Sequence, residues 1–137
     1  MKKYLYYPGC SLKASGKPYE ESLLAVFRKL GLKWEEVPQW NCCGATAYMG
    51  IDQLNAFALA ARNLAQAEAC GGGKPVHVIA PCAACYLVLF KTQRMARENA
   101  AVRETLDAAL RECGLDWQDT AVVRHPLDVL RNDIGLE

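Results

Sequence analysis

Seven cysteines stand in 137 residues, and five of them fall in three short segments: Cys10 behind Tyr7-Pro8-Gly9, the adjacent Cys42 and Cys43 before Gly44, and the pair in Pro81-Cys82-Ala83-Ala84-Cys85. Two thiols make a disulfide and four enclose a tetrahedral zinc ion, so five converging thiols exceed both common structural uses and favour a multi-iron cluster. Thiolates suit zinc and iron–sulfur clusters alike, so zinc held by part of the set stays open as the alternative cofactor, with a metal-free reversible disulfide behind it. Adjacent Cys42 and Cys43 leave one backbone turn in different directions, which suits two metal atoms better than two arms on one ion. The Cys82-x-x-Cys85 spacing alone also fits a thiol–disulfide motif, because a helix start offers free N–H groups and a positive dipole end to a thiolate.

Gathering those segments requires a fold that returns them to one place. Lys3 to Tyr7 is a short β-prone run closed by Pro8-Gly9, and Pro18 opens a helix with Leu23, Phe27 and Leu30 at helical spacing before Gly31. Leu32 to Val37 alternates as a second strand and stops at Pro38. Asp52 is the expected N-cap of a helix whose apolar stripe is Leu54, Ala58, Ala61 and Ala65, ending at Gly71 to Gly73. Val76 to Ala80 suits a buried parallel strand, and Pro81 leads from it into a helix that ends near Asn99. A further helix, with Val102, Leu106, Ala109 and Cys113 on one face, ends at Gly114; Ala121 to Arg124 reads as the fourth strand, and Pro126 starts the last helix.

Strands alternating with helices predict an α/β fold: a small Rossmann-like domain over 1–137, with a parallel sheet of about four strands flanked by helices. Loops leaving the carboxyl ends of parallel strands share one edge, where ligands bind. Cys10 follows the first strand, Cys42 and Cys43 the second, Cys82 and Cys85 the third, and His125 the fourth. His125 is the candidate for proton delivery at that edge; the competing reading is a local structural residue before a proline at a helix start.

Sixteen basic against fifteen acidic residues leave a net charge of +1 without a basic block, which argues against a nucleic-acid partner or an anionic membrane surface. The apolar stretch of MKKYLYYPGC ends at Pro8-Gly9, too soon for a signal-peptide core or a membrane span, so a cytoplasmic, reducing location is expected. Cys113 reads as a buried small hydrophobe on its helix face, and Cys70 has no partner at ligand spacing. The triple glycine leaves a helix and enters a strand, the reverse of a phosphate-cradling loop, and reads as a turn. Tyr4, Tyr6 and Tyr7 are expected to alternate between the sheet faces. Tyr7, Trp40 and Tyr48, near the cysteine loops, are expected to line an apolar edge of the kind that docks a partner or shields a cluster.

Cys10, the 31 residues before Cys42-Cys43-Gly44, and the 38 residues from Gly44 to Pro81 ahead of Cys82-x-x-Cys85 together resemble the cysteine-rich CCG domain of the heterodisulfide reductase B-subunit family. Tyr7-Pro8-Gly9-Cys10, Pro81 to Cys85 and the tail from His125 to Asn132 are similar to that family's local sequence, so the resemblance spans essentially the whole chain. It implies an oxidoreductase subunit in which Cys10, Cys42, Cys43, Cys82 and Cys85 ligate a non-cubane [4Fe–4S] cluster and electrons pass to a thiol or disulfide substrate. It further implies partners that are other redox subunits, iron–sulfur and flavin-containing, or a second CCG domain. One motif stands here where the family's full-length members carry two, so the isolated chain is expected to bind a cluster and to need a partner for turnover. A non-catalytic zinc-binding or electron-carrier module docking onto a larger oxidoreductase is the competing class.

Overall fold

Leu5 and Tyr7 face one side of the central sheet while Tyr4 and Tyr6 face the other, the period of two that an extended backbone imposes. The structure is a computed structural model describing residues 2–45 and 47–135, without the side chains of Ala47 and Tyr48. In chain order the elements are β1 (Tyr4–Tyr6), α1 (Gly9–Leu12), α2 (Lys17–Lys29), β2 (Glu35–Glu36), α3 (Ala47–Ile51), α4 (Gln53–Ala69) and β3 (His77–Ile79). Then come α5 (Ala83–Glu98), α6 (Ala100–Glu112), β4 (Val122–Arg124) and α7 (Pro126–Val129), which runs into a π turn over Leu130–Ile134.

The four strands lie in the order β2-β1-β3-β4 and every pairing is parallel, with Leu5 opposite Glu35 and Val78, and Val78 opposite Val123. The expected α/β sheet is therefore present. Parallel neighbours cannot be joined by a tight turn, so each link crosses a face of the sheet through helix. On one face, Leu5, Tyr7, Val78, Ala80 and Val123 pack with Phe57 and Leu64 of α4, Leu89 of α5 and Leu106 and Leu110 of α6. On the other, Ile79 meets Leu23 and Phe27 of α2 and Val129 of α7. Burying Tyr6, Tyr7, Phe27 and Phe57 below 3% exposure contributes about 2 kcal/mol each, enough to hold short strands in register.

Several local expectations shift. The second strand is two residues rather than Leu32 to Val37, because β2 is an edge with both glutamates exposed and only Val37 beyond it is buried. The stripe of α4 turns: Leu54 is 41% exposed, while Ala56, Phe57, Ala60, Ala61, Leu64 and Ala65 are buried, an alanine-rich sequence giving little contrast from which to read a face. Asp52 does cap α4, accepting from the Asn55 N–H at 3.2 Å. Cys113 is exposed, correcting its reading as a core residue: Leu106 and Leu110 take the buried face of α6, and Cys113 is the C-cap before Gly114 at φ 77°.

Buried polar groups fix the sheet's flanks. Glu68 of α4 accepts from the backbone N–H groups of Gln118, Thr120 and Ala121 at 2.9, 2.8 and 3.2 Å, which sets the approach to β4. Arg124, at the end of β4, donates to Asp133 at 3.0 and 3.1 Å and to Asp128, and Asp133 also accepts from the Tyr4 hydroxyl and from Lys2 at 2.9 Å. The Arg124 guanidinium, first, holds the Asp133 carboxyl well below the usual carboxylate range. A carboxyl depressed on folding stabilises the native state above its unfolded pKa and loses that contribution as pH falls below it. Asp133→Asn is expected to cost about 2–4 kcal/mol at neutral pH, because Arg124 keeps only Asp128 as a charged partner. Thermal melts from pH 7 downward should show a constant difference between wild type and variant near neutrality, beginning to narrow only below about pH 4.

Candidate metal centre

Each cysteine segment follows the carboxyl end of a strand. Gly9 and Cys10 open α1 immediately after β1; Cys42 and Cys43 lie in the loop after β2; Cys82 is the N-cap of α5 after β3, with Cys85 in its first turn. Cys43 and Cys85 are buried and their Sγ atoms are 3.2 Å apart, too far for a disulfide bond and close enough for one thiol to donate to the other. All seven cysteines are free.

The electrostatics trace a continuous path through all five sulfurs. The Cys43 thiol is pulled down from its ordinary range chiefly by the hydrogen bond from Cys85, with Cys42 adding to it, whereas Cys85 is pushed up by holding the shared proton against Cys43, by burial and by Cys82. Cys42 is pushed up by burial first, and Cys43 and Cys10 add to it. Cys10, Cys42, Cys43, Cys85 and Cys82 thus each act on the next. Among the described residues, no three Cys, His, Asp or Glu groups stand at the spacing of a single bound ion. Five soft donors reaching one edge from three loops have a chemistry that fits a multi-iron group, since different sulfurs can then serve different iron atoms.

Two glycines make room for it. A Cβ on Gly9 would stand 2.8 Å from the Cys85 Sγ, and the backbone there has φ 73°, so a side chain would push into the thiol pair. Gly44 has φ 83° and lies against Ala56 of α4, where a Cβ would meet backbone and side-chain atoms at 3.2 Å. The glycine after the paired cysteines is thereby required both for its conformation and for the approach of α4.

Around the sulfurs, Tyr7 is fully buried and meets Trp40 edge to face at 5.8 Å between ring centroids. Burial, and then the surrounding cysteines with Cys43 first, push the Tyr7 phenol far up, so it keeps its proton. Tyr7 therefore lies beneath the site and does not line a docking surface; Trp40 is half-buried, and the side chain of Tyr48 lies outside the described residues. His125 follows β4 on the same edge. Its Nδ1 accepts from the Leu127 N–H at 3.2 Å, capping α7, and its ring meets that of Tyr86, the residue after Cys85, at 5.9 Å. Cys70 ends α4, where the Lys3 ammonium donates to its carbonyl, and Gly71 to Gly73 form the expected turn.

A family model described as the CCG cysteine-rich domain matches residues 4–90, more than half of the chain. This chain belongs to that family. The CCG domain is 29% identical over 133 residues to the 8-methylmenaquinol:fumarate reductase membrane anchor subunit of Wolinella succinogenes, covering 97% of this chain and 45% of that protein. It is 28% identical to a protein of Archaeoglobus profundus described as like the heterodisulfide reductase B-subunit, covering all of this chain and 45% of that protein. The B-subunit of the ferredoxin/F420H2-dependent CoB-CoM heterodisulfide reductase of Methanosarcina acetivorans is 25% identical, again over all of this chain and 45% of the relative. The chain thus spans about half the length of the curated relatives it matches. The crystal structure of a hypothetical protein from Helicobacter pylori shares the fold, with a TM-score of 0.74 at 18% identity over all of this chain and 28% of that one. Among the described residues of the CCG domain, no helix is long and apolar enough to cross a membrane.

Sequence reasoning named the five cysteines of the edge and missed what supports them. Asn41 and Asn63 pin the Cys42-Cys43 loop, and one buried asparagine in an alanine-rich helix carries no periodic signal. The asparagine directly before a cysteine pair was the available cue.

Proposed function

We propose that this CCG domain is an iron–sulfur redox domain of a heterodisulfide-reductase-like complex, with Cys10, Cys42, Cys43, Cys82 and Cys85 as ligands of a non-cubane [4Fe–4S] cluster. The observation that supports this reading is the placement of all five cysteines after the carboxyl ends of three neighbouring parallel strands, with the Cys43 and Cys85 sulfurs 3.2 Å apart. When bound, such a cluster would supply electrons one at a time and an iron site for a substrate sulfur. The chain's own part is to hold and shield the group and to orient the substrate. Cys82 at the N-cap of α5, with no side-chain cap of its own, brings the positive end of that helix to an anionic group. Buried Tyr7 and half-buried Trp40 keep water from the inner sulfurs. Because Nδ1 of His125 accepts the Leu127 N–H, the neutral ring carries its proton on Nε2, from which it would hydrogen-bond a thiolate released from a disulfide and hold it for protonation by water.

Reduction of a disulfide consumes two electrons and two protons and yields two thiols. In this reading the substrate is a thiol or disulfide, and the electron donors are neighbouring redox subunits in the cytoplasm. Anaerobically purified protein is expected to be coloured and to contain iron and acid-labile sulfide in equal amounts. Stoichiometric zinc without sulfide, after anaerobic reconstitution with both metals offered, would instead establish the zinc-module alternative.

A further inference from the structure

Directly before the paired cysteines, the peptide of Asn41 is held by a side chain from another element. Asn63 of α4 is 2% exposed; its Oδ1 accepts from the Asn41 N–H at 2.9 Å and its Nδ2 donates to the Asn41 carbonyl at 2.8 Å. One amide group therefore satisfies both backbone groups of one residue, as a neighbouring strand would in a sheet. The same Nδ2 reaches the Tyr7 hydroxyl at 3.3 Å, and that hydroxyl donates to the Asn41 carbonyl at 2.6 Å. The Asn41 side chain extends the lock, donating to the carbonyls of Cys42 at 2.8 Å and Leu59 at 3.1 Å and accepting from Arg62 at 2.7 Å. Arg62 also donates to the Gln39 carbonyl at 2.8 Å, where the backbone has φ 52°.

We propose that Asn63 is a positioning residue for the cysteine centre: with Tyr7, it clamps the Asn41 peptide so that Cys43 turns inward to Cys85 while Cys42 turns outward to Cys10. The physical ground is that β2 is only two residues long and its pairing with β1 ends at the bond from the Val37 N–H to the Tyr6 carbonyl at 2.9 Å, short of Asn41. Divergence of two adjacent thiols needs a fixed peptide just before them, and Asn63 and Tyr7 supply the fixed points from α4 and β1. Removing this buried amide leaves the Asn41 N–H without its partner and its carbonyl with the Tyr7 hydroxyl alone, which is costly. The inference rests on the proposed cluster-binding role of the five thiols for its functional consequence, and on the hydrogen bonds alone for the clamp.

The test compares Asn63→Ala, which keeps α4 a good helix, and the milder Tyr7→Phe with Gln93→Leu. Gln93 of α5 is likewise a buried amide, bonded at 2.7 Å to the Ala121 carbonyl and at 3.0 Å to Asp119, in the segment that leads into β4. In the metal-free, reduced chain, amide hydrogen exchange of the 39–44 segment is expected to accelerate by about tenfold or more in Asn63→Ala and by about threefold in Tyr7→Phe, with α5 changed less than about twofold. Gln93→Leu is expected to leave the 39–44 segment at the wild-type rate. After anaerobic loading with iron and sulfide, Asn63→Ala is expected to show an altered electron paramagnetic resonance spectrum, and Gln93→Leu the wild-type spectrum. Exchange that rises equally in the loop and in α5, or a loop and spectrum unchanged in Asn63→Ala, overturns the positioning role while iron uptake by the wild type leaves the cluster reading intact. Failure of the wild type to take up iron and sulfide overturns the cluster reading, and the centre that Asn63 would position with it.

Discussion

Serine in place of Cys43 or Cys42 is expected to cut the iron retained after a chelator challenge by at least the roughly tenfold that even outer partners of a metal site are worth. Serine in place of Cys113 is expected to leave it unchanged. Cys43 is 2% exposed, sits 3.2 Å from the Cys85 sulfur and is the midpoint of the string from Cys10 to Cys82, so its removal divides the set into two pairs. A hydroxyl in that position is a harder, less acidic donor that does not replace a thiolate toward iron. Cys113, exposed at the C-cap of α6, belongs to a different surface. Iron and sulfide assays on the anaerobically reconstituted variants, with thermal melts to confirm folding, provide the check. Equal loss of iron from the Cys42, Cys43 and Cys113 variants would refute the ligand assignment.

The second large effect is expected in turnover. The reconstituted chain alone should reduce a low-molecular-weight disulfide poorly, and the rate should rise on the order of a hundredfold when a second cluster-bearing subunit or domain is supplied. That is the scale at which correct juxtaposition of reacting groups acts. Two considerations motivate this. A disulfide takes two electrons where a single iron–sulfur cluster hands over one at a time, and the chain spans 45% of the length of the reductase subunits it resembles. The carboxyl edge is then where a partner would meet the site, through Cys10 and Cys82 at its exposed side and not through Tyr7, which is buried beneath it. Steady-state assays under anaerobic conditions, with and without candidate partners and with the oligomeric state followed in parallel, decide the point. Full-rate turnover by a strictly monomeric, single-cluster chain would overturn the half-site expectation.

Much of this architecture is legible in one dimension because it depends on local chemistry. Pro8-Gly9 and Pro38 close strands, Asp52 caps a helix, and Pro81 and Pro126 mark strand-to-helix turns. Once strands alternate with helices, right-handed crossovers leave few ways to place the loops. Residues after each strand therefore meet at one edge, and the convergence of Cys10, Cys42, Cys43, Cys82 and Cys85 follows from their positions in the chain. Their types alone restrict the chemistry to soft metals or thiol redox work.

What only the tertiary structure decided concerns contacts between residues far apart in sequence. The pairing of Cys43 with Cys85, the need for Gly9 beneath the Cys85 sulfur and for Gly44 against Ala56, and the clamp of Asn63 and Tyr7 on Asn41 each join two elements whose relative placement is set by the packed core. The face of α4 was equally hidden, because alanines on every side erase the hydrophobic contrast that periodicity reads and leave Phe57 and Leu64 to find the sheet. Cys113 looked apolar by spacing and is exposed because α6 ends one residue earlier, at the point where Gly114 turns the chain away. Spacing along the chain records which residues can share an edge; their mutual distances depend on how helices of unequal bulk settle on a sheet, which is a property of the whole core.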